Sequence, residues 1–258
     1  VSYLHGRGVY TLFNSNALLL NEARGQALIE AGLDELRISM DGATPATYAR
    51  VRGVNQKALP HILRNLATFA ALKRQLGAEQ PRTSLWFTAM RENLEELPAL
   101  IEIAAQAEVP EVYVQRFIYF GKGLATEEQA VYRRARQRER ELLAQAEARC
   151  VERGIRFTAT GATTPAVYIG RDGGNESRPW SPCWRPYTLA YITSHGNVFS
   201  CCFSPFHPGR WRERVLGNAF EQSMADIWNG ERYQAFRAAF ESDTPWDQCA
   251  GCGTRWSL

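Results

Sequence analysis

The sequence predicts an α/β fold in which parallel strands alternate with crossover helices, followed by a small cysteine-bearing module of different texture. Up to about residue 120, short β-type apolar runs alternate with segments of helical spacing, the pattern of strands joined by crossover helices. The strands are nearly continuous in apolar residues, which predicts burial on both faces, as in a doubly wound sheet or a (β/α) barrel. Five of the six cysteines lie beyond residue 180, where the alternation stops.

The first predicted strand is GVYTLFN, residues 8–14, and the helix LNEARGQALIEAG follows it with Gly32 as its stop. ELRISM, residues 35–40, is the second strand. Residues 56–77 form a helix that places Leu59, Ile62, Leu63, Leu66 and Phe69 on one face and ends at Gly77. TSLWFTAM, residues 83–90, is the third strand. Asn93 then reads as the N-cap of the helix LEELPALIEIAAQA, with Glu96 at the capping-box position three residues on. EVYVQRFIYF, residues 111–120, is the fourth strand, residues 126–153 a single long helix, and GIRFTATG, residues 154–161, a fifth strand. Turn formers crowd GRDGGNESRPWSP, Gly170 to Pro182, which divides the chain into domains at 1–170 and 178–258.

Charge and composition exclude several classes. The 30 basic and 27 acidic residues are interspersed and leave a net charge of +3, which is no nucleic-acid footprint. In RRARQRERELLAQAEARC, Glu139, Glu141 and Glu147 alternate with arginines as on a solvated helix face. No apolar run reaches the roughly 18 residues that a membrane span needs. The opening VSYLHGRGVYTLFNSN reads as the tail of a helix entering a strand rather than as a signal peptide, so more chain is expected ahead of Val1. Sparse thiols without a secretory signal predict a reducing, cytoplasmic setting.

Cys183, Cys201, Cys249 and Cys252 stand out by spacing. LAYIT and VFSC flank SHGN, so a hairpin turning at Gly196 returns Cys201 towards the start of the module. CAGC lets two thiolates point at one centre. Structural zinc, an iron-sulfur cluster and unrelated buried thiols are all compatible with this set, and the hairpin between the first two cysteines is unlike a zinc knuckle. Cys150 lies far from the others and reads as a buried thiol.

The run CWRPYTLAYITSHGNVFSCC, then LGNAFEQSMADIWNGERYQAFRAAF, then CAGC resembles the auxiliary-cluster module of radical SAM enzymes, called SPASM in its long form and twitch in its short one. TLFNSNALLL, AGLDELRISMDGATPATYARVRG and FTAMRENLEELPALIEIA resemble strands three to five of the radical SAM barrel with their helices. The resemblance implies an incomplete (β/α)6 TIM-like barrel lacking its first strands, plus a small α+β iron-sulfur module. It implies one auxiliary [4Fe-4S] cluster on Cys183, Cys201, Cys249 and Cys252. It further implies S-adenosylmethionine and a second [4Fe-4S] cluster in a full-length parent, whose CxxxCxxC loop and Gly-Gly-Glu strand end would precede Val1.

The same resemblance places Ser39 and Asp41 at a cofactor-binding strand end, although Asp41 with Gly42 also reads as an ordinary turn. Arg52 matches an arginine that pairs with the SAM carboxylate, with a surface arginine as the alternative. Asn16 takes the place of the family's Thr-Asn-Gly motif, here Ser-Asn-Ala, with a turn role as the alternative. Gln115 and Arg116 end a strand and are expected to face the reaction chamber. Cys202 stands where sulfatase-maturing relatives carry an aspartate general base. Trp228 and Phe236 read as core anchors at helical spacing. The implied activity is hydrogen abstraction by a 5′-deoxyadenosyl radical, acting on a peptide or small molecule with flavodoxin or ferredoxin as electron donor. A zinc-stabilised binding or maturation scaffold is the alternative.

Overall fold

Alternation along the strands builds two unlike sheet faces. The computed structural model describes residues 1–118, 123–131, 134–159, 164–170, 177–178, 180–181, 183–207, 209–250 and 252. It divides into two compact units, Val1–Arg171 and Asp172–Leu258. Most of the expected boundary segment lies outside the described residues, as do Tyr119, Phe120, Thr160 and Gly161 at the ends of two predicted strands.

In the first unit β1 (Leu12–Ser15), β2 (Glu35–Ser39), β3 (Arg82–Ala89), β4 (Glu111–Arg116) and β5 (Arg156–Ala159) lie in sequential order, and every pairing is parallel. A doubly wound sheet reverses its strand order at a switch point, whereas a barrel does not. The order therefore decides between the two expected architectures for a partial (β/α) barrel. A short helix α1 (Ser2–His5) precedes β1. The crossovers run through α2 (Glu22–Glu30), through α3 (Pro45–Arg52) and α4 (Ala58–Leu76), through α5 (Leu97–Gln106), and through α6 (Gln137–Arg153). A further helix α7 (Pro165–Gly170) follows β5.

Leu36, Ile38, Leu85, Phe87, Val112 and Val114 alternate onto one face and share a core with Ile62, Leu66 and Phe69 of α4 and with Leu100 and Ile101 of α5. The other face is polar, contrary to the expectation of strands apolar on both sides. Registers put Glu35 beside Arg82, Arg37 beside Ser84, and Ser39 beside Trp86, which in turn neighbours Tyr113. Trp86 and Tyr113 stack at 4.1 Å between ring centroids, and the Arg37 guanidinium lies 4.4 Å from the Trp86 ring. Burial would raise the Glu35 carboxyl pKa, but hydrogen bonds from Arg37 and Tyr10 and the charge of Arg82 outweigh it and hold it below the usual value.

Two helix expectations need correction. The predicted helix over 126–153 begins only at Gln137, because tertiary bonds hold its first part in another conformation. Ala130 bridges Met90, the Arg91 N–H donates to the Gln129 carbonyl, and the Arg91 guanidinium donates to the carbonyls of Glu128 and Arg134. Glu139 is buried at the first turn of α6, accepting from the Arg136 N–H and the Arg91 guanidinium, so it does not lie on a solvated face.

In the second unit β6 (Tyr191–Ile192), β7 (Asn197–Phe199) and β8 (Gly217–Asn218) form an antiparallel sheet in that order, with the expected hairpin between the first two. Gly196 turns it at φ +78, and a Cβ there would lie 2.4 Å from Asn218 Oδ1. Helices α8 (Arg185–Thr188), α9 (Met224–Asn229), α10 (Glu231–Glu241) and α11 (Asp247–Ala250) complete the unit. Val198, Leu216, Ile227, Tyr233 and Phe236 are its core, with Trp228 packed against it.

Candidate functional site

The hairpin and the chain reversal after α10 bring four cysteines together. Cys183, Cys201, Cys249 and Cys252 line one pocket, whose walls are Trp180, Pro186, Phe236 and Phe240 and whose polar edge is Arg185, Ser200 and Gln248. Among the described residues, no three His, Cys, Asp or Glu side chains converge tightly enough to hold a single metal ion, so the thiols surround a space rather than a point. Burial pushes the Cys201 thiol up to about 11, against the opposing effect of the Phe203 and Ser204 N–H groups directed at it. Cys183 and Cys249 are likewise raised, first by burial, and Cys249 further by the neighbouring thiols. A donor set of four thiols in an apolar pocket, two of them with backbone amides directed at sulfur, fits an iron-sulfur cluster, which takes thiolate ligands and binds with release of their protons.

Arg214 clamps the two halves of this set. It is 3% exposed, pairs through two nitrogens with both Asp247 oxygens at 3.1 and 2.7 Å, and donates at 2.8 Å to the His207 carbonyl. Asp247 opens the helix that carries Cys249, while His207 ends the turn that follows Cys201. A second tie is the buried chain from Ser204 Oγ to Gln248 Oε1 at 2.7 Å and from Gln248 Nε2 to Ser200 Oγ at 3.1 Å. Sequence reading missed Arg214, Ser200, Ser204 and Gln248. An arginine inside HPGRWRER looks like any surface arginine until Asp247 is placed beside it.

Cys202 is half-buried and is not among the described residues lining the pocket. Cys150 is a buried thiol in α6, raised to about 12 by burial and then by Glu147.

In the first unit, the expected cofactor residues cluster at the carboxyl ends of β1 and β2. Ser39 is the half-buried last residue of β2 on the polar face. Asp41 is 4% exposed, and both oxygens are engaged: one accepts from the Thr88 N–H at 2.7 Å, the other from Arg52 Nη1 at 2.9 Å. Asp41 thus joins the end of β3 to Arg52. Asn16 is exposed, and its Oδ1 accepts from the Leu18 N–H at 3.1 Å, the local turn weighed as its alternative. Ala17 beside it adopts φ +56, the left-handed conformation for which the motif's glycine is suited.

Gln115 and Arg116 do not share a face. Gln115 pairs with Thr88 on the polar face, whereas Arg116 pairs with Ala89 on the face that packs helices, so the expectation of a common chamber holds the wrong side for Arg116. The capping box at Asn93 is also corrected. Asn93 is fully buried and donates through Nδ2 to the carbonyls of Asp41 and Thr88, and Glu96 accepts from the N–H groups of Ala43 and Thr44 and from the Thr44 hydroxyl at 2.7, 3.0 and 2.6 Å. Both hold the loop after β2 in place.

Residues 183–253 match the SPASM iron-sulfur cluster-binding domain. Residues 183–253 thus carry a SPASM module. The chain's curated relatives include an AdoMet-dependent heme synthase of Methanosarcina barkeri, 24% identical over 95% of the chain and 67% of that protein. A PqqA peptide cyclase of Xanthomonas axonopodis pv. citri is 26% identical over 99% of the chain and 62% of that protein. Streptococcus suis SuiB, solved bound to S-adenosylmethionine, superposes with a TM-score of 0.67 at 14% identity, covering 98% of this chain and 55% of SuiB. The chain therefore spans about two thirds of the curated relatives' length. All four cysteines of the pocket fall inside the SPASM match. Among the described residues, no helix of the chain is long and apolar enough to cross a membrane.

Proposed function

We propose that this chain is the cofactor-binding and auxiliary-cluster part of a radical SAM enzyme that modifies a peptide. The observation that carries the reading is the gathering of Cys183, Cys201, Cys249 and Cys252 around one pocket inside the segment matched as SPASM. When bound, S-adenosylmethionine and its [4Fe-4S] cluster supply a 5′-deoxyadenosyl radical that takes a hydrogen atom from substrate, and the auxiliary [4Fe-4S] cluster supplies an electron acceptor or a substrate anchor. The chain's own part is to position these groups. Arg52, aimed by Asp41, offers a guanidinium to the SAM carboxylate, and Ser39 offers a hydroxyl at the adjacent strand end. Gln115, on the polar face with Trp86 and Tyr113, is the substrate-contact candidate of the pair it forms with Arg116. The first electron comes from flavodoxin or ferredoxin in the cytoplasm.

Support for a peptide substrate comes from relatives named as PqqA peptide cyclases and from SuiB, solved with its precursor peptide SuiA. Relatives named as heme and coproporphyrin synthases make a porphyrin the competing substrate. The test uses the full-length protein, purified anaerobically. Iron and labile sulfide beyond one [4Fe-4S] cluster, lost from a variant with Cys183, Cys201, Cys249 and Cys252 all changed to Ala, are expected, as is 5′-deoxyadenosine on reduction with S-adenosylmethionine. Stoichiometric zinc without iron, or no 5′-deoxyadenosine, overturns the reading in favour of a zinc-stabilised scaffold.

A further inference from the structure

Ser200 is 2% exposed, precedes the ligand candidate Cys201, and lines the thiol pocket. Its oxygen accepts from Gln248 Nε2 at 3.1 Å, while Gln248 Oε1 accepts from the Ser204 hydroxyl at 2.7 Å. The amide is oriented with its oxygen towards Ser204 and its nitrogen towards Ser200, and the two lengths are in keeping with an O–H···O and an N–H···O bond. Ser204 and Gln248 are themselves buried. The direction of the chain matters: each group gives its proton onward, from Ser204 to Gln248 to Ser200, and the proton of the Ser200 hydroxyl remains to be given. No described residue accepts it. A buried hydroxyl left without an acceptor costs free energy, so an arrangement that aims one at a thiol-lined pocket points to an acceptor inside that pocket.

We propose that the Ser200 hydroxyl, aimed by Gln248 and Ser204, donates a hydrogen bond to a sulfur of the auxiliary cluster and thereby raises its reduction potential. This rests on reading the pocket as an iron-sulfur site. Hydrogen bonds to cluster sulfurs stabilise the more negative, reduced form, so their loss favours the oxidised form. Ser200 is a positioning residue in this role: it ligates no iron, and its effect is electrostatic.

The experiment uses the 258-residue chain loaded anaerobically with ferrous iron and sulfide, with iron and sulfide contents measured and the cluster potential read by EPR-monitored redox titration. Ser200→Ala is expected to load the same iron and sulfide as wild type with a more negative midpoint potential, and Ser200→Thr, which keeps the hydroxyl, to stay near wild type. An unchanged potential in a loaded Ser200→Ala overturns the inference and leaves the cluster reading intact. Absence of iron and sulfide from wild type overturns the cluster reading, and the inference with it. Should Ser200→Ala fail to load, Ser204→Ala carries the test, because it frees Gln248 while leaving the Ser200 hydroxyl in place. Its potential must then also become more negative, and an unchanged value counts against the proposal.

Discussion

Arg52 Nη1 donates to Asp41 Oδ2 at 2.9 Å, and the other Asp41 oxygen is held by the Thr88 N–H. The pair couples two residues that the family resemblance assigned separately to one cofactor. Asp41 is almost fully buried, so removing its partner leaves a charge short of one bond, a loss of about 1–3 kcal/mol. Arg52→Met is expected to lower stability by that amount in urea unfolding. In a double-mutant cycle with Asp41→Asn, the two effects are expected to fall short of additivity by more than the ~1 kcal/mol that bounds exposed pairs. In the full-length protein, the rise in Tm produced by S-adenosylmethionine should shrink in Asp41→Asn even though both Asp41 oxygens are already engaged, because Arg52 loses its aim.

Glu96 should make stability depend on acid pH. Burial raises its pKa, but the hydroxyls of Thr44 and Thr47 and the N–H groups of Thr44 and Ala43 together bring it below the usual carboxylate value. A carboxyl depressed in the folded state stabilises above its unfolded pKa, about 4.3, and loses that contribution as pH falls through the folded value. Glu96→Gln is therefore expected to cost about 1–2 kcal/mol at pH 7, the carboxylate being partly open to solvent, and progressively less below about pH 4. Urea midpoints of both proteins across pH 3 to 7 check this; a difference that stays constant with pH counts against it.

The strands and the hairpin were legible because their signals are local. Alternation in ELRISM and TSLWFTAM and the turn at Gly196 need only neighbours in sequence, and the cysteine spacing identified the four thiols of the pocket. What was illegible depends on partners far along the chain. Asn93 and Glu96 have the spacing of a capping box, yet the loop after β2 offers better donors and acceptors and takes both side chains. Residues 126–136 have helical composition, yet Arg91 captures their carbonyls. The separation of Gln115 from Arg116 was in principle readable, since adjacent strand residues point to opposite faces. Ser200, Gln248 and Arg214 carry no sequence signal at all, because each acts through a residue thirty-three to forty-eight positions away, Asp247 for Arg214 and the Ser200–Gln248 pair for each other.

Glu108 occupies a left-handed position, φ +53, just after α5, where its N–H and that of Val109 close the helix on the carbonyls of Ala105 and Ala104. Glycine is the residue suited to this terminus, and a side chain there costs about 1 kcal/mol. Glu108→Gly also removes the pair with Arg74, but that pair is exposed and worth little. The variant is expected to be more stable than wild type by up to about 1 kcal/mol, seen as a higher urea midpoint with an unchanged slope.

Arg214 and Asp247 should matter more for cluster loading than for any chemistry. The guanidinium is 3% exposed and bonds the Asp247 carboxylate and the His207 carbonyl at once, so it holds the segment after Cys201 against the helix that carries Cys249. Asp247→Asn keeps the shape and one acceptor but removes the charge opposite a buried arginine, a cost of about 1–2 kcal/mol because the carboxylate itself is open to solvent. Its exposed carboxylate is held below the usual range, first by the Arg214 hydrogen bond, so wild type should lose this contribution only in strong acid. At neutral pH, Asp247→Asn is expected to take up less iron and sulfide than wild type and to show faster amide exchange around residues 204–214, while the first unit exchanges as before. Equal loading and equal exchange would mean that the clamp does not hold the thiols together, and that the cysteine-bearing loops are fixed by the apolar core around Phe236 alone.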